Sequence, residues 1–77
     1  MRPDTILAHV RAVPFKPFRL YLNSGQHYDI NHPEMIQVGR DVLHYYYRAA
    51  PDAPFDRWET VSLLLIERIE HLDRIPA

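Results

Sequence analysis

Cysteine is absent from this chain of 77 residues, which excludes disulfide bonds and every metal site that needs a thiolate ligand. Glycine occurs only twice, so the glycine-rich loops that cradle phosphate groups are excluded as well. No apolar run approaches the roughly 18 residues that a membrane-spanning helix needs. Neither sign of charge predominates, because 9 basic and 10 acidic side chains leave a formal net charge of −1. Such a balance creates no global field to attract nucleic acid or anionic lipid.

The composition that remains is typical of one small globular domain, which we predict to cover residues 1–77. Hydrophobic residues make up 47% of the chain and charged residues 25%, a balance that argues against intrinsic disorder. A chain of this length buries only about 60% of the surface that it exposes when unfolded, so it needs an efficient core or a partner. No long apolar run follows the first four residues, so we expect no signal peptide, no membrane contact and a cytoplasmic location.

Residues 4–13 have the pattern of a short amphipathic helix. Asp4 or Thr5 is suited to cap its start, and Pro14 ends it because a proline disfavours helical geometry at the preceding residue. Its apolar side chains recur at helical spacing, at Ile6, Leu7, Val10 and Val13. A helix of about three turns is marginal in isolation, so we expect it to pack against the rest of the chain.

Residues 18–72 predict strands separated by tight turns. Two strands flank Asn23-Ser24-Gly25, which is the pattern of a β-hairpin. The predicted strands cover residues 18–22, 27–31, 35–38, 42–48 and 57–62. Residues 63–75 fit both a helical period and strand alternation. We favour a turn at 63–65 followed by a last strand near 68–72, because the sheet would otherwise remain incompletely paired.

In their order these elements resemble the Sm-like fold, in which a short N-terminal helix precedes five strands bent into a small open barrel. As in the bacterial Sm-like RNA chaperones, an apolar helix and a proline-containing link lead into Leu20-Tyr21-Leu22-Asn23 and then Gly25. The resemblance implies a mostly β (α+β) fold with a bent five-stranded antiparallel barrel of Sm-like or SH3-like type. That family binds uridine through a middle-loop aromatic residue and a late Tyr-Lys-His stretch. Here His32-Pro33-Glu34 and Arg57-Trp58-Glu59 occupy the matching places, so RNA binding does not carry over.

A second resemblance covers nearly the whole chain. Pro14-Phe15-Lys16-Pro17-Phe18 and the step His32-Pro33-Glu34 resemble a family of small bacterial proteins of uncharacterised function. Those proteins share a Pro-Phe-x-Pro-Phe start, a strand-turn-strand with glycine and a His-Pro-Glu or His-Pro-Asp step. The late segment over residues 63–70 is also similar, and this resemblance implies no activity.

The alternation also predicts which side chains are buried and where the domain exposes strand edges. The predicted core consists of Ile6, Leu7, Val10, Phe15, Phe18, Leu20, Leu22, Ile30, Val38, Leu43, Leu65 and Ile69. Small barrels of this type leave exposed edges that pair readily with another copy. We therefore predict a homo-oligomer, with the tyrosine-rich strand or the last strand at the contact.

The candidate binding residues are Tyr45, Tyr46, Tyr47, Arg48 and Trp58. On a strand, Tyr45 and Tyr47 face one way and Tyr46 the other, so one of the two faces presents aromatic rings to solvent. An exposed aromatic platform suits a protein interface, where tyrosine joins apolar area to a polar tip. It also suits stacking of nucleic-acid bases, and simple packing of β-forming residues is the alternative to both.

Histidine is the only other candidate for chemistry, with five in the chain. His27, His32 and Glu34 are the candidate metal ligands, although their spacing matches no known ligand motif. The step at Pro33 equally fits a corner at which a strand leaves the sheet. Neither serine has an evident base beside it in the sequence, and we expect no catalytic residues and no cofactor.

These observations predict a non-catalytic interaction module that binds a protein partner or itself through strand edges and an aromatic strand. The first alternative is a weak binder of RNA or single-stranded DNA of Sm-like type. The second alternative is a small histidine-based metal-binding protein.

Overall fold

The computed structural model describes residues 1–72, which form one helix and six strands. The helix is α1 (Pro3–Val10), and the strands are β1 (Phe18–Leu22), β2 (His27–Ile30), β3 (Ile36–Val38), β4 (Val42–Tyr47), β5 (Arg57–Ser62) and β6 (Ile66–His71). Single 3-10 turns at Pro33–Met35 and Leu63–Leu65 precede β3 and β6. The mostly β fold with one short N-terminal helix is therefore confirmed.

Helix α1 is shorter than the predicted span of residues 4–13. Pro3 and Asp4 occupy its first turn, where a missing N–H costs nothing and a negative charge is favourable. Its last hydrogen bond runs from the Arg11 N–H to the Leu7 carbonyl, at 2.9 Å. Val13 is 95% exposed, so a further helical turn would bury no apolar surface to offset the restriction that Pro14 imposes.

The strands form two antiparallel sheets of three strands each, with the orders β2-β1-β6 and β3-β4-β5. The predicted five-stranded barrel is not observed, since residues 1–72 form six strands in two separate three-stranded sheets. The 3-10 turn that begins at Pro33 separates β2 from β3 along the chain, because proline has no N–H to donate to a neighbouring strand. The turn at 63–65 and the strand after it were predicted correctly, although β6 begins at Ile66.

The hairpin between β1 and β2 depends on Gly25. Its φ of +94° lies in the left-handed region, where a side chain is strained. The Gly25 N–H donates to the Leu22 carbonyl at 2.9 Å, and the Leu22 N–H donates to the Gln26 carbonyl at 2.8 Å. The turn therefore sets the register, in which Leu20 lies opposite Tyr28 and Phe18 opposite Ile30.

The core lies between the two sheets and beneath α1. The buried apolar residues are Ile6, Phe18, Leu20, Leu22, Tyr28, Ile30, Met35, Ile36, Leu43, Val61, Leu63 and Ile66. Six of these were predicted, and four further predicted residues (Val10, Phe15, Val38 and Ile69) are partly buried against them.

Leu65 was predicted to be buried and is instead 43% exposed. It lies in the 3-10 turn, in which side chains three positions apart share a face. Leu63 and Ile66 are three apart and both face the core, so Leu65 is turned toward solvent. The Ser62 hydroxyl stabilises this turn by accepting a hydrogen bond from the Leu64 N–H at 3.3 Å.

Candidate functional site

Strand β4 carries the tyrosine cluster and lies between β3 and β5. It is the central strand of its sheet, paired with β3 at Leu43, His44 and Tyr45 and with β5 over Val42–Tyr47. That the tyrosine-rich strand lies at a contact between copies stays a prediction. Because side chains alternate along a strand, β4 also divides the candidate binding residues between its two faces. Tyr46 lies on the outer face of the sheet, and Tyr45 and Tyr47 lie on the inner face. The five candidates do not form one surface.

The outer aromatic face consists of Gln37, Val42, His44, Tyr46, Trp58 and Thr60. Trp58 is 59% exposed, and its ring centroid lies 6.4 Å from that of Tyr46 at an angle of 46°. The Tyr46 hydroxyl donates to Gln37 Oε1 at 3.1 Å. His44 Nδ1 and Thr60 Oγ1 form a second hydrogen bond at 2.9 Å. These bonds link three strands and hold the Tyr46 and His44 side chains in place beside the exposed Trp58 ring.

Trp58 also lies on a strand with an unpaired edge, since β4 is the only strand of residues 1–72 that pairs with β5. The Leu63 N–H donates to the Asp41 carbonyl at 3.0 Å, which identifies the residue pairs of β4 and β5 that share main-chain hydrogen bonds. In an antiparallel pair the bonded residues alternate, so the main-chain groups of Trp58 and Thr60 point away from β4. An exposed aromatic side chain and unpaired main-chain groups therefore meet at one edge.

On the inner face, Tyr28, Tyr45 and Tyr47 form a row of aromatic rings. The ring centroids of Tyr28 and Tyr45 are 4.8 Å apart, and those of Tyr45 and Tyr47 are 5.9 Å apart. The Tyr28 hydroxyl donates to Glu59 Oε1 at 2.8 Å. Burial, followed by this hydrogen bond, raises the pKa of Tyr28 to about 12, and burial raises the pKa of Tyr45 as well. Both phenols are therefore neutral at physiological pH, and this row is part of the packing.

Beyond this row the inner face opens into a cleft of about 280 Å³. Its lining consists of Asn31, His32, Met35, Tyr45, Tyr47, Arg48 and Phe55. Arg48 lies over the Phe55 ring, 3.9 Å from the centroid, and donates to the Pro51 carbonyl at 2.6 Å. Arg48 therefore binds its own loop on the inner side, and it lies apart from the Tyr46 and Trp58 rings.

The candidate metal ligands do not converge. His32 Nδ1 and Glu34 Oε1 are 4.0 Å apart, and both side chains are exposed. His27 lies on the outer face of the other sheet, where its ring packs 5.7 Å from that of Tyr21. Within residues 1–72 no three histidine, aspartate or glutamate side chains are grouped closely enough to hold a metal ion.

The outer face of the β2-β1-β6 sheet is instead a network of polar side chains that satisfy one another. Arg19 donates to both Asp29 carboxylate oxygens, and these bonds raise the pKa of the guanidinium. The Tyr21 hydroxyl donates to Glu70 Oε1 at 2.7 Å, and Arg68 covers the Tyr21 ring at 3.7 Å. Such paired surface charges contribute little free energy and leave no unbalanced charge for a ligand.

One histidine pair was missed by the sequence analysis. The rings of His9, on α1, and His71, on β6, have centroids 5.0 Å apart. Nothing in the sequence connects the two residues, because they lie near opposite ends of the chain and meet only when α1 packs over the sheet.

Comparison with known proteins leaves both resemblances as predictions. No protein-family model, curated protein or solved structure matches this chain. The part of the chain that the structure describes contains no helix both long enough and apolar enough to cross a membrane.

Proposed function

We propose that this chain is a non-catalytic interaction module, which binds a second copy of itself or another protein through the outer aromatic face and the free edge of β5. The observation that carries the proposal is the exposed Trp58 ring beside Tyr46 on an edge strand. Tryptophan and tyrosine are enriched in protein interfaces, where they supply large apolar area at little cost in conformational entropy. Unpaired main-chain groups on the same edge add hydrogen bonds to an incoming strand.

The order of strand pairing supports an Sm-like or SH3-like architecture for this module. Strand β2 leads into β3 through residues 31–35 alone, so the two count as one strand bent at Pro33. The pairing order then becomes β6, β1, the bent strand, β4 and β5, a ribbon of five whose outer edges, at β5 and β6, have no partner strand within residues 1–72. The last strand, predicted as one place of contact between copies, is thus one of the two open edges.

Light scattering coupled to size-exclusion chromatography tests self-association directly. We expect the mass to rise above 9.2 kDa as the concentration increases into the high micromolar range. Trp58→Lys should return the mass to that of a monomer, because it places a charge at the centre of the contact. Val13→Lys is the matched control, since Val13 is an exposed apolar residue (95%) that lies in the link before β1 and outside both sheets. A wild-type chain that stays monomeric throughout would overturn the proposal of self-association.

Binding of single-stranded nucleic acid is the second candidate, and the exposed pair of Tyr46 and Trp58 rings favours it. Stacking of a base on such a ring contributes about 1–3 kcal/mol. Trp58 is the only tryptophan, so its fluorescence reports binding of a short oligonucleotide without any label. Quenching by the oligonucleotide that weakens as salt is added would support this function. Fluorescence that stays constant when the oligonucleotide is added at low salt would contradict it.

A further inference from the structure

The His9 and His71 imidazoles form a pair held by two different elements. The His9 ring packs 5.4 Å from the ring of Phe18, which is fully buried at the start of β1. The centroid of the His9 ring also lies 5.0 Å from that of the His71 ring, with an interplanar angle of 37°. His71 is the residue paired with Phe18 in the ladder between β1 and β6, so the sheet places it beside the residue on which the His9 ring packs.

A hydrogen bond sets the tautomer of His9. Its Nδ1 lies 2.9 Å from the Thr5 carbonyl oxygen. A carbonyl oxygen only accepts, so Nδ1 carries the proton and Nε2 presents a lone pair. Imidazoles that ligate metals in proteins commonly have this arrangement, in which the other ring nitrogen donates to a carbonyl or carboxylate and orients the ring.

The separation of the two rings matches that of two imidazoles on one metal ion. A tetrahedral ion that binds two imidazole nitrogens at ~2.0–2.1 Å places the two ring centroids about 5 Å apart. The observed 5.0 Å agrees with this value. His71 also lines a cleft of about 260 Å³ with Lys16, Pro17 and Leu72, so its side chain is accessible to a solvent-borne ion.

We propose that His9 and His71 bind a divalent transition-metal ion of the zinc, nickel and copper class, which links α1 to β6. Imidazole suits these ions, whereas magnesium and calcium prefer oxygen ligands. Two protein ligands and the nearby Lys16 ammonium limit the affinity, so the ion is exchangeable. This site is independent of the outer aromatic face, which lies on the other sheet.

Calorimetric titration of the full chain with ZnCl₂ and NiCl₂ tests the site, in a buffer that does not bind metal. We expect one ion per chain and a rise in melting temperature, because binding to the folded state alone stabilises it. His9→Gln and His71→Gln should each weaken binding at least about tenfold. His27→Gln and His32→Gln are the matched controls and should bind as the wild type does. Binding should weaken as the pH is lowered, because the ligating imidazoles must be unprotonated.

A spectroscopic measurement on the wild-type chain gives an answer even where a variant folds poorly. Substoichiometric Cu²⁺ should broaden the ring-proton signals of His9 and His71 before those of His27, His32 and His44. Absence of zinc binding by the wild type would overturn the proposal. So would unchanged affinity in both His9→Gln and His71→Gln, or broadening that begins at any other histidine.

Discussion

Truncation of Trp58 to alanine should weaken the proposed interface more than any other change at the surface of β5. An aromatic side chain buries about 150–250 Å² when it is fully covered, and Trp58 is 59% exposed, so roughly 90–150 Å² remains to be covered by a partner. At about 25 cal/mol per Å² of apolar surface, this area corresponds to about 2–4 kcal/mol for each tryptophan. The dissociation constant should therefore rise roughly 30- to 700-fold.

Sedimentation equilibrium over a range of concentrations measures that constant for the wild type and for Trp58→Ala. The folded state should be nearly unaffected, because the side chain is mostly exposed, and circular dichroism with thermal unfolding checks this. Val13→Ala is the matched control, since Val13 is 95% exposed, apolar and outside the sheets. Equal dissociation constants for wild type and Trp58→Ala would show that the outer aromatic face takes no part in association. Equal losses in Trp58→Ala and Val13→Ala would show that general hydrophobicity, and not this face, is responsible.

Four further changes test the fold. Leu43→Ala should lower the free energy of unfolding by about 2–5 kcal/mol in urea titrations, because Leu43 is 1% exposed on β4, the central strand of its sheet. Leu64→Ala should change the free energy of unfolding by less than about 0.5 kcal/mol, since that side chain is 88% exposed. Equal losses in Leu43→Ala and Leu64→Ala would contradict the described core. Gly25→Ala should lower the free energy of unfolding by about 1–2 kcal/mol, because it places a side chain on a residue with a φ of +94°. An unchanged urea midpoint would contradict the left-handed conformation of Gly25. Tyr28 has a folded-state pKa of about 12, above its ordinary value of about 10. Its contribution to stability is therefore complete below about pH 10 and lost as the pH rises toward 12, so the urea midpoint should fall over that window. The fall should be smaller in Tyr28→Phe, and an identical pH dependence in the two chains would show that Tyr28 is not held neutral.

The elements that the sequence predicted well are those set by neighbouring residues. Strands β1 and β5 have the predicted bounds, and along β1 buried apolar side chains alternate with half-buried polar ones with the period of a strand. The turn at Gly25 follows from a single residue that tolerates positive φ. The end of α1 was placed too late, since apolar spacing through Val13 suggested burial that the packed helix does not provide.

The structure divides the predicted binding residues between the two faces of a sheet. The sequence shows that side chains alternate along a strand, but it does not show where that strand lies within its sheet. The alternation already placed Tyr45 and Tyr47 on one face and Tyr46 on the other, but it did not show which face packs or that β4 is the central strand of its sheet. Tyr45 joins a packed row with Tyr28, which lies on the other sheet. Only Tyr46 and Trp58, of the predicted candidates, present adjacent rings on the outer aromatic face.

By itself the sequence determined the local periods: a short helix, alternating strands, a tight hairpin and a domain without cysteine or membrane-spanning runs. These follow from side-chain spacing and backbone preference, which act over a few residues. The tertiary structure alone decided that six strands form two sheets, that β5 rather than β4 has the open edge, and that His9 meets His71. Those outcomes depend on pairing between distant segments, which is selected by the total burial that the whole chain achieves.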